Sequence, residues 1–229
     1  MDCCWAMMRG NFVEANAEIS TLIERLKYLE TGELPDGGEY GKWLERKWRD
    51  TTEFGLFISM EHACHHLNFG WNCRHFPEKR VIACAERDYR VWEKFPSDWP
   101  ELWPSPSRCK GTPREVYRGK VHYLTMRMPL DEVEMTLDDI IEDIDATFPD
   151  TVPIGMPVRK VRSGRPPMTE ELLAEQMRHI YNYMNDAWNS RKMTMERYTT
   201  EVSNAAMLRH RQYPRAFVRF WPKKKVCQK

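Results

Sequence analysis

Apolar positions recur with a helical period along the first hundred residues. The spacing i, i+3, i+4, i+7, which is typical of one face of a helix, is followed in residues 13–30 by Ile19, Leu22, Ile23, Leu26 and Leu29. Shorter patterns predict helices at about 42–50, 52–69 and 78–95, and Pro96 ends the last of these. The turn-forming segment LPDGGEYG, residues 34–41, separates the first helix from the second.

Helical patterns also dominate the second half of the chain. Residues 131–150 predict a helix whose apolar stripe consists of Leu137, Ile140, Ile141, Ile144 and Phe148. Two more helices are expected at about 169–189 and 194–211, the first of them lined by Leu173, Met177, Ile180, Met184 and Trp188. Residues 116–128 alternate and are rich in β-branched and aromatic side chains, which favours a strand or hairpin. No internal repeat is apparent.

These elements predict a mostly α protein with a helical hairpin, extended Pro-rich arms, additional helices and little β structure. We expect an N-terminal helical region over 1–50 and a helical hairpin with a Trp- and Pro-rich exit segment over 51–113. A connector containing the acidic helix follows over 114–167, and a C-terminal helical pair with a basic, aromatic tail occupies 168–229. A chain of 229 residues is long enough for one large domain or two small ones.

Charge is segregated along the chain although the formal net charge is only +1. Residues 131–150 carry nine acids and no base, whereas residues 209–229 carry eight Lys or Arg and no acid. Such blocks either contact each other or dock separately on partners, and each could also be a solvated face.

No run approaches the ~20 apolar residues that cross a bilayer. The N-terminus lacks the apolar core of a secretory signal, so we expect a soluble or peripheral protein.

The stretch CHHLNFGWNCRHF, residues 64–76, concentrates cysteine and histidine and raises the question of a metal site. Structural zinc sites commonly use close pairs such as C-x2-C, which occurs nowhere in this chain. His62 and His66 are four residues apart and could share a helix face as a metal pair would, but no HExxH is present. The residues that remain as weak metal candidates are Cys64, His66, Cys73, His75 and Cys84.

Catalysis has little support in the sequence. Cys64 lies beside two histidines, but catalytic partners are normally assembled from distant segments. The chain has no Gly-rich nucleotide loop, no G-x-S-x-G and no recognisable pair of catalytic acids. The sequence therefore predicts a protein that is not an enzyme and that carries no cofactor.

A helical hairpin is the third interpretation of the cysteine-rich stretch. Cys73 lies near the end of one predicted helix and Cys84 in the next, so a short antiparallel hairpin would bring them within reach of a disulfide. The segment CAERDYRVWEKFPSDWPELW, residues 84–103, resembles the second helix and exit segment of cytochrome c oxidase subunit VIb, a coiled-coil-helix-coiled-coil-helix family. Cys84, Pro96, Trp99 and Trp103 fall at the intervals of that family's motif.

The resemblance covers about residues 63–113 and includes departures. Phe95 stands where the family has its second helix cysteine, and Ala63 stands at the position of that cysteine's partner. Both changes remove the same outer bridge, so the resemblance implies that the inner disulfide, Cys73–Cys84, is retained. Arg90, Val91 and Trp92 sit one place late relative to the motif, and the connection between the two helices is shorter than usual for the family.

The resemblance implies a non-catalytic accessory subunit of a mitochondrial respiratory-chain complex, first of all cytochrome c oxidase. Such a subunit is peripheral on the intermembrane-space side of the inner membrane, is part of the electron-transport machinery, and is imported by an oxidative disulfide relay. Its partners would be other subunits of a large membrane-associated complex. Trp99 and Trp103 suit anchoring in a partner groove, and closing the protein's own core is an equally good reading of both.

A ribonucleoprotein component, such as a mitochondrial ribosomal protein, is the alternative. The tail HRQYPRAFVRFWPKKK interleaves cations with aromatic rings, which suits phosphate contact and base stacking. Lys223, Lys224 and Lys225 are the predicted partner-binding cations of this tail. The low net charge and the acidic helix argue against RNA binding. A zinc-stabilised module is a third, weaker option.

Overall fold

The computed structural model describes residues 4–34, 39–83, 90–92, 120–152 and 167–201. Its helices are α1 (Trp5–Thr31), α2 (Glu39–Arg49), α3 (Glu53–Cys73), α4 (Glu78–Ile82), α5 (Tyr123–Thr147) and α6 (Glu170–Ser190). A 3-10 turn spans Pro149–Thr151. Over these ranges the structure has helices and no strand, which confirms the prediction of a mostly α fold.

The chain divides into two compact units, residues 1–192 and residues 193–229. In the described part of the second unit, residues 195–201 are helical. The Thr194 side chain accepts a hydrogen bond from the backbone N–H of Arg197 at 3.4 Å, and Arg197 pairs with Glu201 one turn later at 2.6 Å. This is the described beginning of the helix predicted at 194–211, and the rest of that range lies outside the described residues.

Helices α1, α3, α5 and α6 form a four-helix bundle in the first unit. The predicted stripe of α6 is buried in full, and so are Leu137, Ile140, Ile141 and Ile144 of α5. Phe148 lies just beyond α5 and stacks on Trp5 with 4.4 Å between the ring centroids. The core that the four helices share includes Phe12, Ile19, Leu26, Leu56, Leu67, Met126, Leu130, Leu137, Leu173, Met177 and Trp188.

Side-chain pairs fix the directions of the helices. Along α1 and α5, Asn16 meets Asp138 and Ser20 meets Glu134, so the residue numbers rise on one helix as they fall on the other. The same inverse order relates α3 to α6 and α3 to α1. Neighbouring helices of the bundle are therefore antiparallel, and α3 and α5 run in the same direction. The end of α3 and the start of α5 therefore lie at opposite ends of the bundle.

The helices α3 and α6 begin in the same way. The side chains of Thr52 and Thr169 accept hydrogen bonds from the backbone N–H groups of Gly55 and Leu172, at 3.1 and 3.2 Å. Threonine is a favoured residue at this position because its oxygen satisfies a donor that the first helical turn leaves unpaired. Gly32 ends α1 with φ 77°, a conformation that glycine adopts without steric cost.

The strand or hairpin predicted at 116–128 is wrong for residues 123–128, which begin α5, and residues 116–119 lie outside the described residues. Met126 and Leu130 extend the buried stripe of α5 by helical spacing. Pro129 has no N–H to bond the carbonyl of Thr125, which would weaken a helix here. The Ser190 hydroxyl donates to that carbonyl at 2.6 Å and replaces the missing bond. Tertiary contact therefore overrides the local preference.

Other predicted boundaries hold to within a few residues at most ends. Helix α1 starts eight residues before the predicted 13, α2 starts at Glu39, and α3 continues to Cys73. Of the helix predicted at 78–95, α4 and helical residues 90–92 are described. Residues 84–89 and 93–95 of that helix lie outside the described residues, as do the Pro-rich spans 96–113 and 153–166 and the tail after 201.

The expectation that the chain has no internal repeat is wrong. Residues 52–74 and 169–191, which are α3 and α6 with their caps, align without a gap and are identical at nine of 23 positions. The apolar spacing does not reveal this repeat, because any two core helices have the same spacing. The repeat is recognised from the polar residues at the two ends of each helix. The identical pairs are Thr52/Thr169, Glu53/Glu170, Leu56/Leu173, Met60/Met177, His62/His179, Asn68/Asn185, Trp71/Trp188, Asn72/Asn189 and Arg74/Arg191.

Burial extends the correspondence to α1 and α5. Each buried residue of α1 has a buried counterpart 118 positions later in the chain. The bundle thus consists of two similar hairpins, which we call hairpin 1 (α1 and α3) and hairpin 2 (α5 and α6). The buried pairs are Met8/Met126, Phe12/Leu130, Ala15/Val133, Ile19/Leu137, Leu22/Ile140, Ile23/Ile141 and Leu26/Ile144.

Candidate interaction site at the end of helix α3

A buried arginine terminates α3. The guanidinium of Arg74 lies over the Trp71 ring, 3.9 Å from its centroid, and donates to the Trp71 carbonyl at 2.9 Å. Its Nε donates to the Glu170 carboxylate at 2.9 Å, which joins the end of α3 to the beginning of α6. The backbone N–H of Cys4 donates to the Arg74 carbonyl. This end of the bundle is therefore rigidly tied where the chain leaves α3.

A second apolar cluster lies beside this end of the bundle. Phe69 and Cys73 of α3 pack with Val81 of α4 and with Trp92, and Met7 of α1 lines the cluster. The Trp92 ring meets Phe69 edge-on at 5.4 Å, and the Asn72 amide donates to the Trp92 carbonyl at 2.8 Å. The chain therefore turns back against α3, but α4 ends at Ile82 and is much shorter than the continuous helix predicted at 78–95.

Cys73 lies in the middle of this second cluster. Its side chain is buried, and its sulfur lies 3.5 Å from the Gly70 carbonyl, which accepts a hydrogen bond from it. Cys84, its predicted disulfide partner, lies outside the described residues, so the Cys73–Cys84 bridge stays a prediction. Trp99, Trp103, Lys223, Lys224 and Lys225 also lie outside the described residues.

The weak metal candidates point to different neighbours. The Cys64 sulfur lies 3.7 Å from the Met184 sulfur, inside the bundle. His66 Nδ1 is 3.4 Å from the Asn11 side-chain oxygen, and His75 Nε2 is 3.2 Å from Glu170. Among the residues the structure describes, no group of three or more His, Cys, Asp or Glu side chains is arranged to hold a metal ion.

Three histidines do gather on the outer side of α3. The ring centroids of His62 and His66 are 4.8 Å apart, and His65 lies 5.5 Å from His66. His62 meets Glu18 of α1 at 3.2 Å. Burial lowers the pKa of His66, and repulsion from protonated His62 and His65 lowers it further, while Glu14 and Glu18 act in the opposite direction. His66 is thus held neutral to a lower pH than an ordinary histidine.

A polar contact inside the bundle was not predicted from the sequence. The Tyr181 hydroxyl of α6 donates to the Asn68 side chain of α3, and both residues are buried. Burial raises the pKa of Tyr181 well above its usual value, and Cys64 nearby contributes in the same direction. The hydrogen bond from the neutral Tyr181 hydroxyl to the Asn68 side chain therefore positions α3 against α6. Asn68 on the apolar face of α3 was the available signal, since polar side chains at such positions require a partner.

The fold and these contacts define a four-helix-bundle protein with a packed helical appendage at the end of α3. No protein-family model, curated protein or solved structure matches the chain. In the described part of the chain, no helix is long and apolar enough to cross a membrane.

Proposed function

We propose that this protein is a non-catalytic accessory subunit that is held in a larger assembly by the segment following Trp92. The assembly we propose is a mitochondrial respiratory-chain complex, first of all cytochrome c oxidase. The protein would lie peripherally on the intermembrane-space side of the inner membrane. The Cys73–Cys84 disulfide would staple its appendage, because that compartment is oxidising and preserves disulfides.

The observation that carries the proposal is the anchored position of Trp92. Its ring packs between Phe69 and Phe76, with centroid distances of 5.4 and 5.0 Å, and Asn72 holds its carbonyl. The chain continues from this fixed point into residues 93–119, in which Trp99 and Trp103 occur. A rigid departure point lowers the entropy lost when a following segment docks, so it favours a partner-binding arm.

The surroundings of the cysteine and histidine residues support a structural role for them. Cys64 faces a methionine sulfur, and His66 faces an asparagine side chain. Both residues contribute to the packing of α3 against α6 and α1.

Native purification of the tagged chain from its own cells, followed by mass spectrometry, tests this proposal. Co-purification with respiratory-complex subunits at constant stoichiometry is the expected result. Recovery of ribosomal proteins and RNA would transfer the assignment to the alternative. Recovery of the chain alone, with a measurable turnover of its own, would refute the accessory-subunit proposal.

One observation favours the ribonucleoprotein alternative more than the sequence did. Several acids of α5 are turned towards α1, where Asp145 pairs with Arg9, Asp138 with Asn16, and Glu134 with Ser20. Asp145 is therefore neutralised by a cation inside the bundle, which removes one acid of α5 from the charge that would repel a nucleic acid. Nuclease treatment during the same purification separates the alternatives, since an RNA-dependent association is lost and a protein-mediated one is not.

A further inference from the structure

We infer that the chain is a tandem duplication of one helical hairpin, and that the two copies pack on each other across a two-fold axis. The repeat of nine identical residues between α3 and α6 is the starting point. If two copies are related by a two-fold axis, every contact between them occurs twice. When residue i of the first copy contacts the counterpart of residue j in the second, residue j of the first copy also contacts the counterpart of residue i.

The ends of α3 and α6 show such a reciprocal pair of contacts. Arg74 of hairpin 1 pairs with Glu170 of hairpin 2 at 2.9 Å, and Arg191 of hairpin 2 pairs with Glu53 of hairpin 1 at 2.7 Å. Arg191 is the counterpart of Arg74, and Glu53 is the counterpart of Glu170. We call these two reciprocal ion pairs the clamps.

The clamps agree in their finer contacts too. The Arg74 guanidinium lies 3.9 Å from the Trp71 ring centroid, and that of Arg191 lies 3.6 Å from the Trp188 ring centroid. Each guanidinium also donates to the carbonyl of that tryptophan. Two unrelated helices would have no reason to share an aromatic ring, a carbonyl and a carboxylate in the same arrangement around an arginine.

The backbone repeats the relation at the starts of α1 and α5. The N–H of Cys4 donates to the Arg74 carbonyl at 2.8 Å, and the N–H of His122 donates to the Arg191 carbonyl at 2.8 Å. His122 lies 118 residues after Cys4 and Arg191 lies 117 after Arg74, so the two hairpins close in the same way. These bonds lie within each hairpin, and they show that the hairpin itself is the repeated unit.

The contact between α1 and α5 is reciprocal as well. Asn16 donates to Asp138, and Ser20 donates to Glu134. Glu134 is the counterpart of Asn16, and Asp138 is the counterpart of Ser20, so the two bonds exchange under the two-fold relation. Each pair joins a neutral donor of hairpin 1 to an acid of hairpin 2, which makes them alike in chemistry.

One pair has diverged between the hairpins. Arg9 binds Asp145, but Lys27 occupies the position equivalent to Asp145, so Arg127 cannot repeat this contact. Arg127 instead meets Asp131 at 3.2 Å and Glu30 at 3.9 Å. The divergence keeps each half-buried guanidinium beside an acid while the sequence around it changes.

Charge reversal within one hairpin tests the reciprocal pairing in the full-length chain. In the variant Glu53→Arg/Arg74→Glu, hairpin 1 opposes like charges on hairpin 2 at both clamps. We expect this variant to unfold at a lower urea concentration than the wild type, because both ion pairs are replaced by repulsions.

The matched control is Glu53→Arg/Arg191→Glu, which reverses both members of one clamp and restores pairing within the chain. This control should unfold at a higher urea concentration than the first variant, because it keeps an ion pair at each clamp. Equal unfolding midpoints for the two variants would overturn the reciprocal pairing of the hairpins.

Cross-linking decides the matter if the charge-reversed chain does not fold. Cysteine pairs at positions 16/138 and 20/134, introduced as separate variants and treated with a short bismaleimide, should link with equal yields by peptide mapping. A link at one pair and none at the other would show that the two-fold relation does not hold in solution, and the inference would fall. Equal yields would sustain it.

Discussion

Arg74 and Arg191 each combine a carboxylate, a backbone carbonyl and an aromatic ring in one contact. Both side chains are nearly inaccessible, at 7% and 1% relative exposure, so their bonds are shielded from solvent. A buried guanidinium is favourable only when its donors are satisfied, and truncation leaves its acceptors unpaired. The stability of the bundle at its two ends therefore depends on these single residues.

Replacing Arg191 by Ala should lower the free energy of unfolding by about 2–3 kcal/mol, because a charged hydrogen bond and a carbonyl partner are lost together. Urea denaturation measures the loss. The control is Arg197→Ala, which removes an exposed i, i+4 pair with Glu201 and should cost less than ~0.5 kcal/mol. Equal losses for the two variants would contradict the role given to the clamp.

The pKa of His66 should lie below that of an ordinary histidine, since burial and the neighbouring histidines oppose its protonation. The unfolded chain then takes up the proton first as pH falls. The contribution of His66 to stability is therefore present above the unfolded pKa and is lost below it. Titration of the ring proton resonances by NMR measures the midpoint. Replacing His62 by Ala should raise it, and an unchanged midpoint would mean that the histidines do not interact.

Cys73 and Cys84 should be linked by a disulfide in the protein isolated under oxidising conditions. Cys73 is buried in the second apolar cluster, which also contains Val81, and Cys84 follows Val81 by three residues. Non-reducing peptide mapping after alkylation checks the bond. Alkylated thiols at both positions, or stoichiometric zinc in the purified protein, would contradict the stapled hairpin.

At the scale of elements, the two hairpins provide internal controls for each other. Phe54 and Ile58 of α3 are 58% and 45% exposed, and the equivalent positions of α6 hold Glu171 and Glu175. The same helix architecture therefore tolerates carboxylates at both places. These two apolar residues are not needed for the packing of the bundle.

The variant Phe54→Glu/Ile58→Glu should accordingly unfold within about 2 °C of the wild type, because exposed substitutions typically change stability by under ~0.5 kcal/mol. Leu56→Glu is the contrasting variant, since Leu56 is 1% exposed and an unpaired charge there should prevent cooperative unfolding. Thermal melts followed by circular dichroism measure both. A large loss in the double variant would show that the two α3 residues are packed.

Much of the secondary structure could be predicted because apolar spacing directly reports burial. The stripe of α6 and the centre of α5 are examples, as is Thr52 at the start of α3. The start of α5 could not be predicted, since Pro129 and the β-branched residues favour another structure and the compensating donor, Ser190, is 61 residues away. The clamps were also inaccessible to local reasoning, because each joins residues more than ninety positions apart.

The candidate site was predictable only in part. The turn after α3 was predicted, but the second helix of the predicted hairpin ends at Ile82, where the sequence indicated a helix continuing to residue 95. The neighbours of Cys64 and His66 come from α6 and α1, so adjacency in sequence suggested a cluster that tertiary packing separates. Partner choice depends on surfaces of other molecules, which no pattern within this chain encodes.

In the whole molecule, the contacts of Trp92 fix where the chain leaves the four-helix bundle. We propose that the segment after Trp92 docks the bundle into an assembly. Trp99 and Trp103 should contribute most, since buried aromatic anchors often cost more than ~2 kcal/mol when truncated.

Native gel migration of the variant Trp99→Ala/Trp103→Ala, expressed in place of the wild type, is the most direct test of this claim. We expect the variant to migrate as the free chain while the wild type migrates with the assembly. The purified variant should keep the helix content and melting temperature of the wild type. Co-migration of the variant with the assembly would contradict docking through this segment. Loss of cooperative unfolding in the variant would contradict it as well, because the two tryptophans would then belong to the protein's own core.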